Sequence, residues 1–110
     1  MIRVVNKKTW TGKGHYIGRP TALGNPFSHL PRSHADIKVA TRDESISRYR
    51  GWLLEQLDSD NPASRMFLDL LREYEETGEL TLICWCKPLS CHGDILAEFI
   101  REAAEKPSDS

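Results

Sequence analysis

Cys91, His92 and Asp94 stand almost side by side in the run Cys84-Trp-Cys-Lys-Pro-Leu-Ser-Cys-His-Gly-Asp94. A thiol, an imidazole and a carboxylate are the groups of nucleophilic, metal-binding and acid–base chemistry. All three cysteines of the chain, Cys84, Cys86 and Cys91, fall in this run. The residues before it form an apolar stretch that reads as a strand, Pro88 makes a turn, and a helix is expected to begin at about Cys91. The first helical turn then holds His92, Gly93 and Asp94. Such a turn presents unpaired backbone N–H groups and the positive end of the helix dipole, which suits an anion and favours a thiolate.

Each group has a competing reading. Cys84 and Cys86 alternate with Trp85 and share one face of a strand, where Cys84 fits a small buried apolar residue. Cys86, Cys91 and His92 have the chemistry of zinc ligands, but they lack the paired Cys-x-x-Cys spacing of common structural sites, so no metal ligand is assigned. Cys91 has His92 and Lys87 close by in sequence and is a candidate nucleophile, although packing competes with that role. An anion site needs less: the helix start, Gly93 for close approach, and a cation such as Arg19 or Lys87. Asp94 either offsets the helix dipole or serves a ligand as general base or ribose partner.

A second unusual stretch, Gly18-Arg-Pro-Thr-Ala-Leu-Gly-Asn-Pro-Phe27, holds two glycines and two prolines in ten residues and must be a shaped loop. Arg19 and Asn25 are its polar groups for a ligand, with Gly18 allowing close approach; Asn25 could equally brace its own turn. His15 and Tyr16 precede the loop and could flank a ring. Trp10, Trp52 and Trp85 do not cluster in sequence and read as core or core-edge residues.

The elements that must position these groups follow from pattern. Ile2 to Val5 is a β-branched strand, and residues 15–17 a short second one. Residues 28–39 are ambiguous and read as an extended surface segment. Thr41-Arg-Asp-Glu44 opens a helix at about 42–58 on a capping-box pattern, with Ile46, Tyr49, Leu53 and Leu57 at helical spacing. Asn61-Pro62 opens a second at about 62–76, and Gly78 ends it. Leu80 to Cys86 is a buried strand, and Ile95, Leu96, Phe99, Ile100 and Ala103 mark a final helix at about 91–105. This order predicts an α/β fold: a small single-domain sandwich over residues 1–104, with a short, mainly parallel sheet and about three helices, followed by a polar tail. Ligands in such sheets sit beyond the carboxyl ends of the strands. If the first and last strands are neighbours, the Gly/Pro loop and the Cys-His turn share that edge.

With 110 residues and a net charge of −1, the chain is one ordinary domain without general attraction to polyanions or acidic membranes, although Lys7, Lys8, Lys13 and Arg19 leave room for a local basic patch. No apolar run approaches the roughly 20 residues of a membrane span. The start lacks a signal peptide's apolar segment and the odd cysteine count argues against a disulfide framework, so a cytoplasmic protein is expected. No groove-reading motif points to duplex nucleic acid.

Together, Tyr16-Ile-Gly-Arg-Pro-Thr-Ala-Leu-Gly-Asn-Pro-Phe27 and Leu82-Ile-Cys-Trp-Cys-Lys-Pro-Leu-Ser-Cys-His-Gly-Asp-Ile-Leu96 resemble the two signature blocks of a domain-of-unknown-function family, DUF4326. The resemblance extends over roughly residues 2–100 and implies a phage or bacterial cytosolic origin, but no activity. The residues themselves favour a nucleotide-like ligand with a phosphate held by Arg19 or Lys87 and the final helix; a hydrolase or N-glycosidase activity would rest on Asp94. A protein-binding adaptor and a zinc-stabilised module are the alternatives. The sequence leaves the cofactor unknown.

Overall fold

The computed structural model describes residues 1–19, 21–28, 37–38, 41–85 and 92–105. Its core is a parallel three-stranded sheet in the order β1 (Ile2–Asn6), β5 (Leu80–Cys84), β2 (His15–Tyr16). Ile2 pairs with Leu80 and Asn6 with Cys84, while His15 pairs with Leu82. Lys7 N–H to the Cys84 carbonyl (2.7 Å) and Ile17 N–H to the Ile83 carbonyl (3.0 Å) carry both ladders one residue further. The strand pairing joins residues 2–6 to residues 80–84, and a small α/β domain results, as the element order predicts.

The two faces of the sheet differ. Leu80, Leu82 and Cys84 are buried with Ile2 and meet the helices in one apolar core. The alternate residues, Arg3 and Val5 on β1 and Thr81 and Ile83 on β5, share the opposite face. There the loop after β1 crosses to β2, and Trp10 lies beneath the Arg3 guanidinium, 5.5 Å from ring centroid to Cζ.

Local chemistry sets the helix ends. In α1 (Arg42–Leu57) the Thr41 hydroxyl accepts the Glu44 N–H at 3.0 Å. In α2 (Pro62–Thr77) Asn61 and Ser64 cap each other reciprocally, and Pro62 takes the first helical position, where no N–H is needed. Gly78 then ends α2 with φ of 76°, a left-handed conformation that favours glycine. The last helix, α3 (His92–Glu105), sends Ile95, Leu96, Phe99 and Ile100 into the core.

One pairing lies in the stretch whose sequence reads as ambiguous. β3 (Phe27–Ser28) and β4 (Ile37–Lys38) form a separate two-stranded parallel sheet, with Phe27 opposite Ile37, and β3 packs on α1. Two residues per strand are too few to show a period in the sequence. The tail beyond Glu105 lies outside the described residues.

Candidate functional site

All three strands of the main sheet point the same way, so their carboxyl ends, Asn6, Tyr16 and Cys84, lie along one edge. The chain leaves that edge through Lys7, through Ile17 and the Gly/Pro loop, and through Trp85. The start of α3 meets the same loop. His92 Nε2 lies 2.7 Å from the Ile17 carbonyl. A carbonyl only accepts, so Nε2 carries the proton and donates it. The two unusual segments of the sequence therefore come together around one place.

The loop is held by one helix side chain after another. Tyr49 of α1 is wholly buried and donates its hydroxyl to the Leu23 carbonyl at 2.7 Å. Ser45, also of α1, donates to the Phe27 carbonyl and accepts from Asn25 Nδ2, both at 2.9 Å. Asn25 Oδ1 in turn accepts the Phe27 N–H at 2.9 Å. A buried loop must satisfy its backbone groups in this way, because water cannot. Tyr49→Phe removes the partner of a buried carbonyl and is expected to cost about 1–3 kcal/mol in urea unfolding. An unchanged midpoint would show that the Leu23 carbonyl reaches water.

These contacts assign work to several residues expected at the site. Asn25 has both ends of its side chain committed to its own turn and to α1. His92 is buried, with its ring edge-on to Tyr49 at 5.0 Å between centroids. Burial holds its basicity below the ordinary histidine value, outweighing the Ile17 bond and the nearby Cys84 and Asp94, which raise it; Arg19 adds to the lowering. It is a neutral latch between α3 and the loop. Gly18 is buried under the Tyr16 ring, and Gly93 is buried in the first turn of α3. Asp94, in the same turn, is half-buried. Arg19 is exposed, with one guanidinium nitrogen donating to the Asn25 carbonyl at 2.8 Å. Lys87 and Cys91, and Cys86 with them, lie outside the described residues. Cys84 is fully buried. Among the described residues no three His, Cys, Asp or Glu side chains are grouped to hold a metal.

Trp85 is the residue that sequence reasoning missed, and Lys7 stands in it only as one charge of a local basic patch. Trp85 is 49% exposed, not core, and its indole N–H donates to the Tyr16 hydroxyl at 3.0 Å. That hydroxyl donates to the Arg19 carbonyl at 2.9 Å. The Lys7 ammonium lies over both rings, 5.3 Å from the centroid of Tyr16 and 5.9 Å from that of Trp85. Asn6 Nδ2 holds the Trp85 carbonyl at 3.1 Å, and its Oδ1 accepts the Lys8 N–H at 2.8 Å. The signal was present in the alternation: Leu80, Leu82 and Cys84 face the core, so Trp85 faces away from it. His15 lies apart from Tyr16. Its Nε2 pairs with Glu73 of α2 at 2.8 Å, beside a groove of about 700 Å³ near the amino ends of β2 and β5.

The site thus combines an exposed indole, a phenol beside it, a lysine above both, an arginine on the adjoining loop and the first turn of a helix. Such a set can stack a planar ring and bind an anionic group. No helix of the described residues is long and apolar enough to cross a membrane. No curated protein and no solved structure matches the chain. The model of one family, described as a domain of unknown function (DUF4326), matches residues 2–102, and the chain belongs to that family.

Proposed function

We propose that the protein binds a phosphate-containing, nucleotide-like ligand at the carboxyl edge of its main sheet, as a cytosolic protein of bacterial or phage origin. The observation that carries this reading is the Lys7 ammonium above the neighbouring rings of Tyr16 and Trp85. A base can lie on the exposed indole while Lys7 and Arg19 offer charge to the phosphate. The edge is also where parallel α/β sheets take their ligands. If the ligand is turned over, Asp94 is the carboxylate to which we assign hydrolysis of a phosphate or glycosidic bond.

Isothermal titration with the common ribonucleoside and deoxyribonucleoside monophosphates tests the proposal. At least one should bind, and Trp85→Ala should weaken it about tenfold, the scale of one base–aromatic stack. Absence of heat with every monophosphate, in protein that melts cooperatively, would remove the reading. Co-purification of a protein whose binding survives Asp94→Asn and Trp85→Ala would favour an adaptor instead.

A further inference from the structure

The near-zero net charge conceals a sharp division along the chain. No aspartate or glutamate precedes Asp36, whereas Arg3, Lys7, Lys8, Lys13, Arg19 and Arg32 all do. All sixteen acidic residues lie from Asp36 onward, among them those on the three helices. In space the division is partial: Lys13 lines a groove with Glu73 and Glu79, and Asp94 stands in the first turn of α3. Arg3 projects on the sheet face opposite the core, and the exposed Lys7, Lys8 and Arg19 lie at the carboxyl edge. Aromatic rings alternate with these charges: Trp10 under Arg3, then Tyr16 and Trp85 under Lys7.

From these positions we infer that the ligand is a single-stranded polynucleotide, whose backbone runs from Arg19 past Lys7 and Lys8 toward Arg3 while bases stack on Trp85 and at Trp10. This inference rests on the nucleotide reading above and extends it from one unit to a chain. Arg3 on β1 and Lys7 just past its end are four residues apart, roughly 13 Å at about 3.3 Å per residue, a path longer than a mononucleotide needs. Interleaved rings and cations are what unpaired bases and phosphates require. An acidic polypeptide would use the cations but leave the exposed indole without a planar partner. The path does not continue into the groove beside His15, where Glu73 and Glu79 line the wall with Lys13 and outnumber it. A duplex hides its base faces and cannot use the rings.

Fluorescence anisotropy with labelled dT12 and rU12, their hybridised duplexes, and labelled poly-glutamate tests the inference on the full chain, alongside titration with TMP and UMP. A single-stranded 12-mer should bind at least tenfold more tightly than its monophosphate and than either the duplex or poly-glutamate. Its log K should fall with log salt at a slope of about −2 to −3, from three to four phosphates neutralised. Lys7→Glu and Arg3→Glu should each make that slope shallower. Trp85→Ala should weaken binding about tenfold, Trp85→Phe should restore most of it, and Arg65→Ala on α2 should change nothing. If a monophosphate binds but the 12-mer binds no better, the polynucleotide inference is overturned and the nucleotide site stands. If neither binds, both fail. Equal binding of poly-glutamate or duplex, or indifference to Trp85→Ala and Arg3→Glu together, also overturns the inference.

Discussion

His92→Ala should destabilise the protein by about 3–4 kcal/mol, the combined effect of an emptied core position and a buried carbonyl left without its donor. The ring packs against Tyr49, and its Nε2 proton serves the Ile17 carbonyl, so the loop and α3 lose their direct tie together. His92→Gln can return an amide proton to nearly the same place and should recover part of the loss. Acid separates the two roles of the ring. Burial holds the folded-state pKa below that of the unfolded chain. The unfolded state therefore takes up a proton first, and stability falls as pH drops below about 6.5, by up to about 1.4 kcal/mol per pH unit, until the folded pKa is reached. Above that range the contribution is fully present. Urea unfolding of the wild-type protein and His92→Gln between pH 5 and 8 should give curves that converge at the acid end. Curves that stay parallel would mean that the imidazole is free to charge in the native state.

Gly24→Ala is expected to cost about 2–3 kcal/mol, because the new methyl has nowhere to go. A Cβ at this position would sit 2.9 Å from both N and Cα of Arg19 and 3.0 Å from the Gly18 carbonyl carbon. Every one of these atoms is backbone, so no rotamer change relieves the contact. The turn from Gly18 to Gly24 must open, and Arg19 must move away from the Tyr16–Trp85 pair with it. The substitution should then reduce ligand binding at temperatures where the protein remains folded. Thermal melting with titration at 10 °C checks both parts; a variant of normal stability would show that the turn is looser than its atomic contacts imply.

Much of this architecture was written in local chemistry. The N-caps at Thr41 and Asn61, the stop at Gly78 and the apolar spacing of the three helices are decided within a few residues, and a single sequence displays them. The meeting of the Gly/Pro loop with α3 rests on a second pairing besides that of β1 with β5: β2, which feeds the loop, also runs parallel beside β5. The roles within the site were harder to read. His92 beside Cys91 invites a catalytic reading, but what decides its role is the carbonyl of Ile17, and nothing in the local sequence names a partner so distant. Asn25 carries the same lesson, with Ser45 as the distant partner. Lys7 reads in the sequence as one charge of a local basic patch; the rings beneath it come from β2 and from the residue just past β5.

The parallel register of β1 also has a consequence for how the chain comes to exist. Its neighbour is β5, so Ile2 leaves the ribosome long before Leu80 is made. At 5–20 residues per second the first strand waits roughly 4–15 s with both edges bare. Such an interval exposes a β-branched segment to chaperones and to other nascent chains, and it makes closure of the sheet a late, long-range event. Fusing the protein so that α1 and α2 emerge with β5 ahead of β1, in a circular permutant, should shorten that exposure and speed refolding.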